Sequence, residues 1–359
     1  MKQSKIKILF ILPSLRAGGA ERVVSFIAQN LDKNKFSPAL LIVGFEKDAA
    51  FSIADIETHF LNKRRVLDGV TGIFSKLKSI SPQIVMTSIE HLTAVTAIQS
   101  LWYREIKFVA REANIKKITK KYHNTQMPLG VKTLYTISYR LLDAIICQSK
   151  DMADELAELR PKTSNKIHII NNPITSEFSS DEENNQNSIP HYITVGRLHN
   201  EKGHSRVLEA LSLLDFDFRY TIIGTGPHKQ IIRDKVEALQ LNDKVTWIDF
   251  TDNVEKYLRN SSAFIQGSYA EGFPNALLES CVAGTPVIAC NCPGGTSEIV
   301  KQGVNGFLVN SELDLKEKLI ELVKFPLDKN QIITSVTSKF SKEYILSKYE
   351  DLFTNLIKK

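Results

Sequence analysis

The chain lacks what would mark it as disulfide-stapled, collagenous, disordered or membrane-spanning. Four cysteines (Cys147, Cys281, Cys290 and Cys292) in 359 residues are too few for a disulfide framework. Cys290 and Cys292 form a C-x-C, but no second cysteine or histidine pair stands at a zinc-finger spacing, so they read as small residues near a strand end. No apolar run approaches the roughly 18 residues of a membrane span. The opening MKQSKIKILFILPSLRAGGA superficially looks like a secretion signal. Its apolar stretch is short, holds Pro13 and is followed by Arg16 and Glu21, so it reads as a first buried strand and a turn. The expected location is therefore cytoplasmic. No G-x-G-x-x-G fingerprint follows a first strand, which speaks against a nicotinamide-dependent oxidoreductase. There is no aromatic-rich ribonucleoprotein motif and no zinc pattern, so nucleic acid is not the expected partner.

What is present is an ordinary globular composition, 43% hydrophobic and 24% charged, at a length that suggests about two domains. The net charge of +6 is unevenly spread. Residues 1–170 hold 26 Lys and Arg against 15 Asp and Glu, and the remainder holds 20 against 25. A basic first half suits an anionic partner, with a phospholipid surface, a phosphorylated acceptor and nucleic acid as the candidates that charge alone leaves.

Short apolar runs alternate with amphipathic stretches. Strand-like runs fall at 6–12, 39–45, 83–89, 107–111, 144–149 and 166–170. The stretch SSDEENNQNSIP (179–190) has almost no apolar content and reads as a linker. The alternation then restarts at 191–198, 218–224, 244–250, 263–268, 286–290 and 306–310. Apolar runs buried on both faces and separated by helices predict parallel sheets. The expected architecture is two Rossmann-like doubly wound α/β domains facing a cleft. Their bounds are 1–175 and 191–340, with 176–190 as linker and 341–359 as a C-terminal helix that could pack back on the first domain.

Three loops after strands carry the candidate chemistry. Gly18 and Gly19 open a helix and would let backbone N–H groups approach an anion, although a plain tight turn explains them as well. Arg197 and Lys202 lie in a strand-to-helix loop ending at Gly203, a placement that suits a diphosphate. In EGFPNALLE, Pro274 suits a first helical position and the helix ends at Gly284. Glu271 and Glu279 then flank a helix start, where acidic residues are also at home in a merely solvated helix. Asp215-Phe216-Asp217 is a D-x-D, but it precedes its strand and reads as a surface turn.

Taken together these segments resemble glycosyltransferase family 4, the retaining group with the GT-B fold. GGAERVV resembles the family's N-terminal glycine loop and GRLHNEKG its G-R-x-x-x-x-K-G motif. IIGTGP (222–227) resembles the following turn, EGFPNALLE the E-x7-E motif, and CVAGTPVIACNCPGGTSEIV with NGFLV the closing segment. GGAER and PGGTSEIV look most like bacterial enzymes of O-antigen, capsule or lipid-linked glycan assembly. The resemblance implies transfer of a sugar from a nucleotide donor, with UDP the first choice, to a glycan or polyprenyl-diphosphate acceptor. No cofactor is expected, and since the D-x-D stands at the amino end of its strand and Arg197 and Lys202 already supply positive charge, no metal is expected either. Arg197 and Lys202 would hold the donor diphosphate, helped by Gly18, Gly19 and Gly224. Glu279 would bond the ribose, and Glu271 would touch the transferred sugar. Gly272, Phe273, Pro274 and Asn275 would offer backbone amides. The family's histidine after the strand KFVAR is replaced by Arg111-Glu112-Ala113-Asn114, so Glu112 stands in its position. His91, after the preceding strand, is a second candidate to assist the acceptor hydroxyl. A sugar-nucleotide epimerase of similar architecture would lack the E-x7-E helix start. A non-enzymatic basic membrane- or nucleic-acid-binding protein is the remaining alternative. Basic residues at 63–65, 76–78 and 116–121, mixed with Val66, Leu67, Ile73, Phe74 and Leu77, predict a peripheral site on an anionic membrane surface.

Overall fold

The apolar runs become two parallel sheets with the same strand order. The structure, a computed structural model, describes residues 4–16, 18–115, 129–176 and 189–358. Most of the expected linker, and the basic segment around Lys116–Lys121, lie outside the described residues.

The first sheet runs β3-β2-β1-β4-β5-β6-β7. Its strands are β1 (Ile6–Leu12), β2 (Phe36–Ile42), β3 (Glu57–Phe60), β4 (Ile84–Ser88), β5 (Lys107–Arg111), β6 (Ala144–Cys147) and β7 (Ile167–Ile169). Ile8 to Leu12 of β1 are all buried, because β1 is central and covered on both faces. The helices are α1 (Gly19–Asn30), α2 (Val70–Ile80), α3 (Glu90–Gln99), α4 (Leu129–Leu141) and α5 (Lys150–Leu159). β3 carries the polar sequence ETHF, pairs only with β2 and is a strand the hydropathy pattern does not show.

The second sheet runs β10-β9-β8-β11-β12-β13. Its strands are β8 (His191–Val195), β9 (Arg219–Ile223), β10 (Val245–Ile248), β11 (Ala263–Gln266), β12 (Val287–Cys290) and β13 (Gly306–Val309). Its helices are α6 (His204–Ser212), α7 (Lys229–Ala238), α8 (Val254–Arg259), α9 (Asn275–Val282), α10 (Thr296–Ile299), α11 (Glu312–Lys324) and α12 (Lys329–Phe340).

The chain divides into two compact units. The second ends at Ser341, and the residues from Lys342 onward belong to the first. The last helix, α13 (Lys342–Lys358), buries Ile345, Leu346, Tyr349, Leu352, Phe353 and Leu356, a spacing that puts one apolar stripe against the first core. Phe353 meets Phe10 and Phe36 edge-on, each with ring centroids 6.3 Å apart.

In each sheet the order reverses between the first and fourth strands, β1 and β4 in one, β8 and β11 in the other. Loops leaving the carboxyl ends of strands flanking such a reversal diverge to opposite faces and leave room for a ligand. The reversals therefore locate the places where chemistry can sit, before any side chain is considered.

Candidate functional site

In the second unit the loops after β8 and β11 meet at the reversal. Gly203 has φ +60°, and a Cβ there would overlap the carbonyl oxygen of Gly267. Only glycine combines that backbone with that approach. The contact brings together residues 69 apart in sequence: Lys202 Nζ stands 2.7 Å from Glu271 Oε1. Ser268 donates to the same carboxylate oxygen at 2.5 Å. Arg206 donates from Nε to the Gly267 carbonyl and from Nη2 to the Ser268 carbonyl, each at 2.5 Å, and lies over the Tyr269 ring. Tyr269 N–H donates to the Glu201 carbonyl at 2.8 Å. The β11 loop is thus tied to the β8 loop by main chain and side chains together.

Arg197 is placed differently from Lys202. Its side chain is 69% exposed and pairs with Glu201 at 3.2 Å. The other Glu201 oxygen lies 3.0 Å from His199 Nδ1. Glu201, His199, Arg206 and Ser268 were not singled out in the sequence; their position in loops after β8 and β11, or on the helix that follows, is the signal that finds them. His204, the first residue of α6, is buried, and burial pushes its pKa down to about 4, so it is neutral at working pH.

Glu271 is buried and bridges to Gly294 through the backbone. Gly272 carbonyl accepts from Gly295 N–H at 3.1 Å. Phe273 turns its ring into the core against Phe340, centroids 5.4 Å apart, so only its backbone is left for a ligand. Pro274 is the N-cap and not the first helical residue, with ψ 92° outside the helical range; α9 begins at Asn275. The first N–H groups of α9 have no carbonyl of their own helix to bond and carry the positive end of its dipole. Glu279 sits on α9 and is 8% exposed. Gly224 follows β9 and packs against the Gly196 carbonyl.

In the first unit Gly18 is the N-cap of α1, with Glu21 folded over it, and Gly19 is exposed as the first helical residue. His91 is exposed near the start of α3. Glu112, directly after β5, is 7% exposed and accepts from the Tyr139 hydroxyl. Gln148, after β6, donates to the Glu112 carbonyl at 2.5 Å.

Asp217 of the D-x-D precedes β9. It accepts from its neighbour Phe218 N–H at 3.0 Å and pairs with Lys244 at 3.1 Å, which lowers its pKa. Among the described residues no group of three or more His, Cys, Asp or Glu is disposed to hold a metal. None of the four cysteines is in a disulfide, and all are buried. The expected membrane face needs correction. Val66, Ile73 and Leu77 are core residues, so they cannot enter a lipid interface; Leu67 and Phe74 are exposed, as is Trp102. No described helix is long and apolar enough to cross a membrane.

Solved structures share this architecture. A glycosyltransferase from Rickettsia africae superposes with a TM-score of 0.79 over 99% of this chain and 100% of its own, at 20% identity. Anabaena Alr3699/HepE, solved in complex with UDP, gives 0.80 over 98% and 100%, at 17% identity. The fold is thus GT-B. Residues 176–337 match the family described as Glycosyl transferases group 1, and residues 17–178 match Glycosyltransferase Family 4. A Campylobacter jejuni relative, N-acetylgalactosamine-N,N'-diacetylbacillosaminyl-diphospho-undecaprenol 4-alpha-N-acetylgalactosaminyltransferase, is 24% identical over 93% of both chains. The two matches together take in residues 17–337: the chain is a glycosyltransferase of the GT-B fold, with the family 4 model matched over its first half.

Proposed function

We propose that the chain is a retaining, metal-independent glycosyltransferase that moves a sugar from a UDP-linked donor to a hydroxyl of a polyprenyl-diphosphate-linked glycan, working at the inner face of the cytoplasmic membrane. The observation that carries this reading is the Lys202–Glu271 pair at the reversal of the second sheet, beside the start of α9. Lys202 and Arg197 take the donor diphosphate, and Glu279 takes the ribose. Glu271 and the amides of Gly272, Phe273 and Asn275 face the transferred sugar, with Pro274 holding the turn and Gly224 clearing space. Glu112 orients hydroxyls of the acceptor, and His91 is the second group for that role. The name of the Campylobacter relative, which includes a diphospho-undecaprenol, supports the acceptor class, and the UDP in the Anabaena structure supports the nucleotide.

In the reaction the acceptor oxygen bonds the anomeric carbon as the bond from that carbon to the diphosphate oxygen breaks. The bonding pair leaves with the nucleoside diphosphate, and the acceptor proton passes to the departing oxygen on the same face. Charge grows on the leaving group, so fixed cations and helix-end amides lower the barrier without a metal. Before the donor arrives, Glu271 neutralises the half-buried Lys202 at 2.7 Å.

The test is donor binding and turnover with UDP- and GDP-sugars. Lys202→Ala is expected to lose about 10²- to 10³-fold in turnover, the cost of one transition-state charge contact. Glu279→Gln is expected to weaken donor binding, and Glu271→Gln to lower turnover. Normal turnover by Lys202→Ala, or activity that a chelator abolishes and Mg²⁺ restores, would overturn the reading.

A further inference from the structure

Three neighbouring strands of the first sheet, β4, β5 and β6, end in a single polar cluster. β4 leads into Ile89, which has φ +79°, a conformation a β-branched residue adopts only under strain. Such strain collects at functional sites. It delivers Glu90 as the first residue of α3. β5 delivers Glu112, and β6 delivers Gln148, which holds the Glu112 main chain. Tyr139 reaches in from α4 with no exposed surface, and its hydroxyl donates to Glu112 Oε1. The Arg160 guanidinium lies 3.7 Å from the Tyr139 ring centroid. One of its nitrogens donates to the Tyr135 carbonyl, one turn earlier on α4, at 2.6 Å. Another donates to Glu90 Oε1 at 2.9 Å. The chain of contacts runs from Glu90 through Arg160 and Tyr139 to Glu112, and every member belongs to one unit.

This linkage does more than fill space. A phenol has two soft torsions, and both are fixed here, by burial and by the cation over the ring. Its single proton is committed to Glu112, since burial and the Glu112 and Glu90 charges all raise its pKa well above the ordinary phenol value. The carboxylate end of the cluster can only accept hydrogen bonds, so what it recognises must donate them. Among acceptor chemistries that means hydroxyls or amides of a sugar ring, and not the diphosphate of a carrier, which the excess negative charge repels.

We propose that Tyr139, clamped by Arg160 and Glu90, is the positioning residue that aims the Glu112 carboxylate at the hydroxyls of an acceptor sugar. The proposal rests on the assignment of Glu112 to the acceptor, and the experiment separates the two. Transfer is measured from UDP-N-acetylgalactosamine to a polyprenyl-diphosphate-linked disaccharide, beside slow hydrolysis of the donor without acceptor. Tyr139→Phe is expected to lower kcat/KM for the acceptor about 10- to 100-fold, the scale set by a misplaced orienting group. Donor hydrolysis and UDP affinity stay within about twofold, because those depend on the other unit. Arg160→Lys keeps the charge but loses the planar fork, and is expected to move transfer the same way by a smaller factor. It decides the matter if Tyr139→Phe does not fold. Donor hydrolysis falling in step with transfer, or unchanged transfer in both variants, would overturn the proposal. If Glu112→Gln transfers normally, the assignment of Glu112 fails, and the proposal with it. If Glu112→Gln is impaired while Tyr139→Phe and Arg160→Lys are normal, the positioning role alone fails. A wild-type enzyme that hydrolyses the donor but accepts no sugar hydroxyl would also overturn it.

Discussion

His204 is a buried imidazole in the second unit. It is 3% exposed and accepts no proton until about pH 4, against 6.5 for an unburied imidazole. The unfolded chain therefore binds the proton first as pH falls. The stability His204 contributes is full above pH 6.5 and is lost progressively down to about pH 4, on the order of 3 kcal/mol in all. Urea midpoints followed from pH 7 to pH 4 are expected to fall less steeply for His204→Gln than for the wild type. Equal slopes would mean the imidazole is not the group that titrates. One residue earlier, Gly203→Ala would push a methyl into the Gly267 carbonyl and force φ +60° on a residue with a side chain. It is expected to cost roughly 1–3 kcal/mol of stability and to weaken UDP binding, because the same approach pairs Lys202 with Glu271; calorimetry reads both.

At the scale of elements, α13 is a test of how the first core is completed. Phe353 is buried against Phe10 and Phe36, so Phe353→Ala is expected to destabilise the first unit by about 3–5 kcal/mol. Differential scanning calorimetry should show that unit's transition moving down while the second unit's transition stays. The central strands were legible in the sequence because the stretch of a strand covered on both faces must be apolar, as Ile8–Leu12 of β1 and all of β12 are. β3 was not legible, because an edge strand with polar ETHF has no such requirement. The Glu271 and Lys202 loops could be found one at a time, since each follows a strand. Their pairing could not, because it depends on β8 lying next to β11, and strand order is not written in local pattern. Tyr139 and Arg160 carried no signal for a related reason: an aromatic and a cation on helices look like packing and solvation until the fold brings them to Glu112. Ile73 and Leu77 misled in the opposite direction. Their basic neighbours suggested a lipid face, whereas helical spacing sends these two inward and Lys78 outward.

Over the whole molecule, charge is divided between the halves, with the excess of Lys and Arg in residues 1–170. Lys63, Arg64, Arg65 and Lys78 are exposed, with Leu67, Phe74 and Trp102 as exposed apolar side chains of the same unit. Sedimentation with anionic vesicles is expected to retain the protein at low salt and release it at high salt, since each basic residue near the surface contributes about 1 kcal/mol. Neutral vesicles should not retain it. Binding that ignores both lipid charge and salt would count against an electrostatic membrane site. The return of α13 to the first unit has a consequence for biosynthesis. A nascent chain emerges from the ribosome with its amino end first, and domains ordinarily fold in that order. Here the stripe that covers Phe10 and Phe36 comes from residues 342–358, which follow the whole of the second unit. The first unit must therefore wait, its core open, until the second unit has been made and the helix beyond it can return.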